Sequence, residues 1–555
     1  MDADLVVRGG TVVDGTGAPG RRADVAVADG RIVEIGDRLE GRRELDASGQ
    51  IVAPGFVDIH THYDAQVFWD PDLTPSSHHG VTTVVAGNCG FSIAPVRREH
   101  VALLAHTLQH VEDMSFETLS VGVPWDEFET FPQYLRAVEQ RGAALNFGCY
   151  VGHTAVRMYV MGDDAYERPA SDDELRRMAE VVAQSMAGGA MGFATSASPT
   201  HNGDGGRPVP SRRADLDELR ALLEPVRASG RGVVALLPGG VLSNDDVFAL
   251  QQAAGRPVTW TALLTVKGFP YHEKMIAEHD EARSRGIEVW PQVSCRPLVF
   301  QLNMAEPFTL NSRSSFSSIM GHSREERMAA YRDPSWRAAA WEELSGGGGG
   351  LPFNWPAVSV AESPGHPDLV DRPVLEIAAE RGCTALDVML DLSLEDDLKT
   401  RFWSVVANDD PEGIAWLLPR DGVLLGLADS GAHVSQLCDA CFATDLLGNW
   451  VRDKAVMPLE RAVHKLTGEP AAVYGLSDRG TLEVGKAADV SVFDYETVAP
   501  GPLRRVWDFP ADGERLTADA PVGMTHVLVN GVPIRVDGAP ERGGLDARPG
   551  RLLRP

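Results

Sequence analysis

The sequence predicts an α/β protein: a (β/α)8 TIM-like barrel joined to a small β-sandwich domain built from both chain termini. Two observations carry that expectation. Eight apolar runs of strand length recur through the middle of the chain, with helix-length amphipathic segments between several of them. The two ends of the chain instead read as short alternating strands broken by Gly and Asp-Gly. Length agrees, because 555 residues exceed one ordinary core and call for a large domain with a smaller one.

The chain opens with "DLVVRGGTVVDG", "ADVAVADGRIVEIG" and "RELDASGQIVAPG", in which Val or Ile alternates with polar residues up to a glycine. That is the pattern of hairpins. "GTLEVGKAADVSVFDYE" and "THVLVNGVPIRVDG" repeat it near the other end. A composite β domain over 1–54 and 478–555 follows as an inference, since nothing local requires the ends to meet. Between them, 55–477 is a plausible length for a barrel with insertions near 96–144 and 296–402. Its runs are "FVDIH" (56–60), "VTTVVAG" (81–87), "LNFGCYV" (145–151), "MGFAT" (191–195), "GVVALL" (232–237), "VTWTALLT" (258–265), "IEVWPQV" (287–293) and "VLLGLA" (423–428). Near-continuous apolar strands alternating with helices imply a parallel sheet covered on both faces. Among the helices, "SDDELRRMAEVVAQSMAGG" opens on Ser171 with Glu174 three residues on, a capping box, and closes at Gly188. Two further helices end at Gly230 and Gly286. The "SGGGGG" run at 345–350 reads as a flexible loop.

Composition narrows the function. A net charge of −28 argues against binding a phosphate backbone, which requires clustered Lys and Arg. No stretch approaches the ~20 apolar residues of a membrane span, and "MDADLVVRGG" lacks the basic and apolar regions of an export signal. Six cysteines in so long a chain are not a disulfide framework. A cytoplasmic protein with a small-molecule substrate is expected, with no nucleic-acid or membrane partner; a homo-oligomer is compatible with the sequence.

Barrel active sites lie at the C-terminal ends of the strands. The first run delivers His60 and His62, which share a face because side chains alternate along a strand. The second ends in "AGNCG", where Cys89 between glycines offers a thiolate suited to zinc. The eighth ends in "LADSGAH", placing the carboxylate of Asp429 where burial without a partner would be costly. Each has a bland reading: an incidental His-x-His, a core cysteine, an aspartate shaping a turn. Their joint position at the ends of strands one, two and eight favours a metal site.

These segments resemble the amidohydrolase superfamily and, within it, the N-acyl-D-amino-acid deacylases. "VAPGFVDIHTHYDAQVFWDP", "GVTTVVAGNCGFSIAPVR", "FGCYVGHTAVRMYVMG" and "GLADSGAHV" carry the likeness through the barrel, and "GTLEVGKAADVSVFD" and "VLVNGVPIRVDG" through the closing β strands. The resemblance implies hydrolysis of an amide C–N bond other than a peptide bond, in an N-acylated amino acid or related amide. It implies Zn2+, one or two ions, held by His60, His62, Cys89 and Asp429, with Asp429 as the catalytic proton shuttle.

The pattern breaks at strands five and six, where the family carries one histidine each. Here those positions read "VVALLPGG" and "TWTALLTVKG", and no histidine occurs between His201 and His272. Three accounts stay open. The remaining ligands hold a metal with help from water or substrate; or His153, His201, His272 or Lys267 substitutes; or the metal site is gone and the barrel binds ligands or runs non-hydrolytic chemistry. As substrate contacts the sequence offers Tyr63, His153, Arg157, Lys267, Arg296 and His433, of which Arg157 and Arg296 are the candidates for gripping a carboxylate. The CxxC of Cys438 and Cys441 has no second pair and reads as packing.

Overall fold

A computed structural model of the protein describes residues 3–311, 313–347 and 353–554. Strands from the two ends of the chain share one nine-stranded sheet. Ala3–Val12 pairs antiparallel with Arg21–Ala28 and parallel with Gly41–Asp46 and Ile51–Pro54. Val490–Phe493 then lies antiparallel between Ile51–Pro54 and Met524–Val529. Two hairpin turns are built by Asp29-Gly30 and Asn530-Gly531, all four residues at positive φ, as a two-residue turn matched to strand twist requires. Inward Val7, Val25, Ile32, Val52, Val490 and Val492 form a shared core. The strands shared by the two ends form one branched sheet, and Leu503–Phe509 with Gly513–Ala518 form a separate two-stranded one, so the two comparable sheets expected of a sandwich are not seen among the described residues.

The eight apolar runs of the middle all carry parallel strands. Phe56–Asp58, Val81–Ala86 and Asn146–Cys149 make one three-stranded sheet. Val151–Gly152, Gly192–Ser196, Val233–Leu237, Val258–Trp260, Val289–Val293 and Leu424–Leu425 make a six-stranded one. The third run is therefore split at Tyr150 between two sheets, and the eighth meets the first through a single parallel bridge, Thr61 to Ser430. These are two open sheets, in contrast to the closed cylinder the sequence suggests. The interruption has a local cause at the first strand, where the His60 N–H is diverted to the Asp58 carboxylate at 3.1 Å. Beyond it, Thr61 N and His62 N donate to opposite neighbours, Val85 O and Ser430 O.

Two helices begin and end where short-range chemistry says they should, while the helix expected to stop at Gly286 spans Tyr271–Ser284 with Arg285 as its cap. Asp172–Gly188 has the Ser171/Glu174 capping box, with Gly189 rather than Gly188 in the left-handed cap. Leu216–Ser229 is capped by Asp215 and stopped by Gly230 at φ 68°. The segment after the second strand folds into helices Val101–Glu112, Phe116–Gly122 and Phe131–Arg141. The segment after the seventh builds an antiparallel sheet of Leu298–Asn303, Val358–Glu362 and Arg401–Ala407 over its own core of Leu302, Val360 and Phe402. Of the glycine run at 345–350, positions 348–350 lie outside the described residues. Among the described residues no helix is long and apolar enough to cross a membrane.

Candidate metal centre

The structure gathers donors from three distant parts of the chain. Ligand atoms of His60, His62 and Cys89 lie within 4.8 Å of one another. Asp429 joins them, its Oδ1 lying 2.9 Å from His60 Nε2 and 3.7 Å from His62 Nε2, while Cys89 Sγ is 3.7 Å from His60 Nε2. Tetrahedral ligands at ~2.0–2.3 Å from zinc lie roughly 3.3–3.7 Å apart, so the two 3.7 Å separations and the N, S, O donor set suit that ion, while the 2.9 Å His60–Asp429 contact is a hydrogen bond that would open on binding it.

Local backbone chemistry produces this placement. Cys89 has φ 55° and Asp429 φ 46°, left-handed conformations that non-glycine residues seldom adopt and that mark constrained positions. Gly87 beside Cys89 is required by close approach, because a Cβ there would sit 2.6 Å from Tyr150 O. The ring orientations are set by a second layer of partners. His60 Nδ1 faces Gln292 Oε1 at 2.8 Å and Thr261 Oγ1 at 3.1 Å; His62 Nδ1 faces Glu112 Oε1 at 3.0 Å. Each imidazole thereby turns Nε2 toward the cluster, with Nδ1–H assigned to the outer acceptor.

The groups of the cluster shift one another's protonation. Burial opposes protonation of His60, but Asp429 and Cys89 raise it to about 10. Burial opposes it at His62 as well, and the Glu112 charge with Asp429 and Cys89 holds that ring well above the usual range. Burial would raise Cys89 and Asp429, yet the two imidazoles bring both down, Asp429 far below ordinary carboxylates. The same contacts that favour protonated rings here favour a cation in their place, since metal binding displaces protons from its ligands. Asp58, buried behind His60 and bonded to its N–H and to Ser430 Oγ, is pushed up to about 7 by burial. Burial also raises Asp64 to about 6, against hydrogen bonds from Gly87 N and Cys149 Sγ.

A cavity of about 220 Å³ opens against His62, Cys89 and Asp429. Of the other candidates from the sequence, His433 and His201 line it. His201 rests on Ser196 Oγ and the Phe91 ring, and burial depresses it to about 3.

The remaining expectations are corrected. Tyr63 is buried with its hydroxyl on Ser76 Oγ at 2.8 Å, away from the cavity wall. His153 and Arg157 form a buried network on Glu218, with His153 Nε2 2.8 Å from Oε1 and Arg157 Nη1 reaching both carboxylate oxygens. Arg296 is held by Asp439 at 2.6 Å and Asp445 at 3.4 Å. Lys267 is exposed, its backbone N–H on Asp409 Oδ1, and buried His272 packs on Trp416. The physical reason is common to His153, Arg157 and Arg296: buried donors and cations recruit acceptors, and these acceptors lie far off in sequence.

Glu112, Gln292 and Thr261 are the site residues that sequence reading missed. Gln292 had a signal, a polar side chain inside the apolar run "WPQV". Glu112 had none, since it ends a helix of an inserted segment. Leu237 and Leu264, from the segments where strand-five and strand-six histidines were sought, line the cavity wall.

Parallel strands that deliver imidazole, thiolate and carboxylate groups to one buried point describe an α/β protein of the metallohydrolase class. The chain belongs to the amidohydrolase family, whose sequence profile matches residues 43–341 and 370–535. It is 31% identical to a D-aminoacylase of Alcaligenes xylosoxydans xylosoxydans over 96% of this chain and 94% of that protein. An N-acyl-D-glutamate deacylase from the same organism is 30% identical over 99% and 96% of the two chains. In structure, it matches the Bordetella bronchiseptica N-acyl-D-glutamate deacylase complexed with zinc and a phosphonate inhibitor, at 26% identity, TM-score 0.69 and full coverage of both chains. A D-aminoacylase described as having a binuclear metal centre matches at 26% identity and TM-score 0.70, again over both full chains.

Proposed function

We propose that the protein is a zinc-dependent hydrolase of amide C–N bonds other than peptide bonds, of the N-acyl-D-amino-acid deacylase type. The observation that carries this reading is the convergence of His60, His62, Cys89 and Asp429 in a chain of that family. His60, His62, Cys89 and Asp429 would hold the ion, with Gln292 and Glu112 fixing the two rings. When bound, zinc supplies Lewis acidity and makes hydroxide available near neutral pH. Asp429 takes the proton of the attacking water and returns it to the departing amine, which its position between both imidazoles and the cavity allows. The walls of the cavity orient the amide and limit the water that reaches it.

The histidines expected at strands five and six are not replaced by Lys267, His153 or His272, which lie elsewhere. His201 and His433 are the further imidazoles on the cavity wall. Full-length likeness to deacylases supports hydrolysis over binding alone. The two parallel sheets, linked at Tyr150 and by the Thr61–Ser430 bridge, are read as one eight-stranded barrel over 55–477, and the shared terminal sheet as the composite domain of 1–54 and 478–555. A cytoplasmic location is part of the same reading.

The test is direct. Purified protein is expected to contain zinc near stoichiometry and to cleave N-acyl amides. Asp429→Asn is expected to lower turnover by on the order of a thousandfold or more while circular dichroism stays unchanged. A folded, metal-free preparation with full amidase activity would refute the mechanism.

A further inference from the structure

The cavity beside the candidate centre has a chemical character that its relatives' names do not convey. Its walls include Phe91, Leu237, Leu264, Leu298, Phe300 and Leu427. The ionisable groups on it are His62, His201, His433, Glu112 and Asp429. Among the described residues no Lys or Arg lines it, and the undescribed positions (1–2, 312, 348–352 and 555) contain neither residue type.

Several cations are committed elsewhere, and exposed Lys267 stands outside the wall. Arg157 is buried on Glu218, Arg296 bridges Asp439 and Asp445, and Arg212 is spent on the carbonyls of Pro199 and His201 and on Asn202 Oδ1. Arg401 and Arg505 both pair with Glu514. A carboxylate entering this space would lose its hydration with no guanidinium or ammonium to replace it. The imidazoles do not stand in for one, since His60 and His62 are engaged by Asp429 and Glu112. At about 220 Å³ the cavity is smaller than the ~300–1,000 Å³ of sites for drug-sized ligands.

We propose that this cavity selects a small uncharged amide, an acyl group on an apolar amine or on an amino acid whose carboxylate is masked, over a free N-acyl amino-acid carboxylate. The inference rests on the deacylase reading for the bond that is cleaved, and differs from it in the charge of what is held. A ligand carboxylate that sought the metal instead would displace the scissile carbonyl from the reacting position.

Full-length, zinc-loaded protein would be given N-acetyl-D-leucine, N-acetyl-D-leucinamide and N-isopentylacetamide, and kcat/KM compared. Binding would be measured separately with uncleavable ketones of the acid and carboxamide, in which CH2 replaces the amide NH. The neutral members are expected to be favoured on the order of a hundredfold in both readouts. Equal or better use of the carboxylate overturns the inference. Should neither amide be cleaved while the neutral ketone binds more tightly, the deacylase reading falls and the neutral-ligand inference stands. Failure of both ketones to bind at millimolar concentration overturns the inference. Leu298→Lys, which places an ammonium on the wall, is expected to shift preference toward the carboxylate at least tenfold. No shift in a folded variant counts against the charge argument.

Discussion

Single side chains at this centre do different work according to which of their atoms face inward. His60 and His62 each expose Nε2 to the cluster because Gln292 and Glu112 occupy Nδ1. Glu112 therefore acts through His62 rather than on a substrate, and Glu112→Gln keeps the shape while weakening the acceptor. Zinc affinity is expected to fall about 10–100-fold, read by competition with a chelator, with the circular dichroism spectrum unchanged. An unaltered affinity would show that the ring is oriented by something else. At this scale the sequence was partly legible. His60, His62, Cys89 and Asp429 could be picked out because each stands at the end of an apolar run, where a polar residue needs a reason. Arg157 and Arg296 could not be assigned, because nothing near them in sequence names Glu218, Asp439 or Asp445 as partners.

Between elements, the His153–Arg157–Glu218 network ties helix His153–Met161 to helix Leu216–Ser229 through a buried charge. Burial would raise Glu218 above its ordinary 4.5, but the His153 hydrogen bond and charge and the Arg157 guanidinium bring it down to about 2. A carboxylate with a depressed folded pKa stabilises the fold above its unfolded pKa and loses that contribution as pH falls through the folded one. The window is thus from about 4.5 down to about 2. Glu218→Gln is expected to lower the unfolding midpoint most at pH 6, with the gap to wild type narrowing toward pH 3. A gap that stays constant would contradict the assignment. Helix ends were the most legible elements, since a cap involves residues three or four apart. Strand ends were legible as to position, yet the break at Tyr150 and the diverted His60 N–H depend on neighbouring strands.

Across the whole molecule, the terminal sheet decides whether the two ends fold separately. Val490 and Val492 are fully buried on Val490–Phe493, which pairs with Ile51–Pro54, only two residues before the first parallel strand. Asp489 completes the junction, accepting from Arg479, Asn146 and the Asn530 N–H. Removing 478–555 would strip one of the two partners from Ile51–Pro54 and leave an exposed apolar edge. The truncated chain is expected to be insoluble or to lack a cooperative unfolding transition, measured by centrifugation and thermal denaturation. A soluble, cooperatively folding 1–477 fragment would show that the sheet is dispensable.

Alternation of polar and apolar residues, strand-length apolar runs and glycine stops are local properties, so the sequence by itself determined the strands and many helix ends, and it marked His60, His62, Cys89 and Asp429 as candidates. Which groups meet was decided by tertiary structure alone. Glu112 reaches His62, the buried arginines find their carboxylates, and Leu237 and Leu264 wall a cavity on which no Lys or Arg stands among the described residues. Pairing of buried charges is settled by proximity in space, where desolvation makes an unpaired group costly, and separation along the chain carries no record of it.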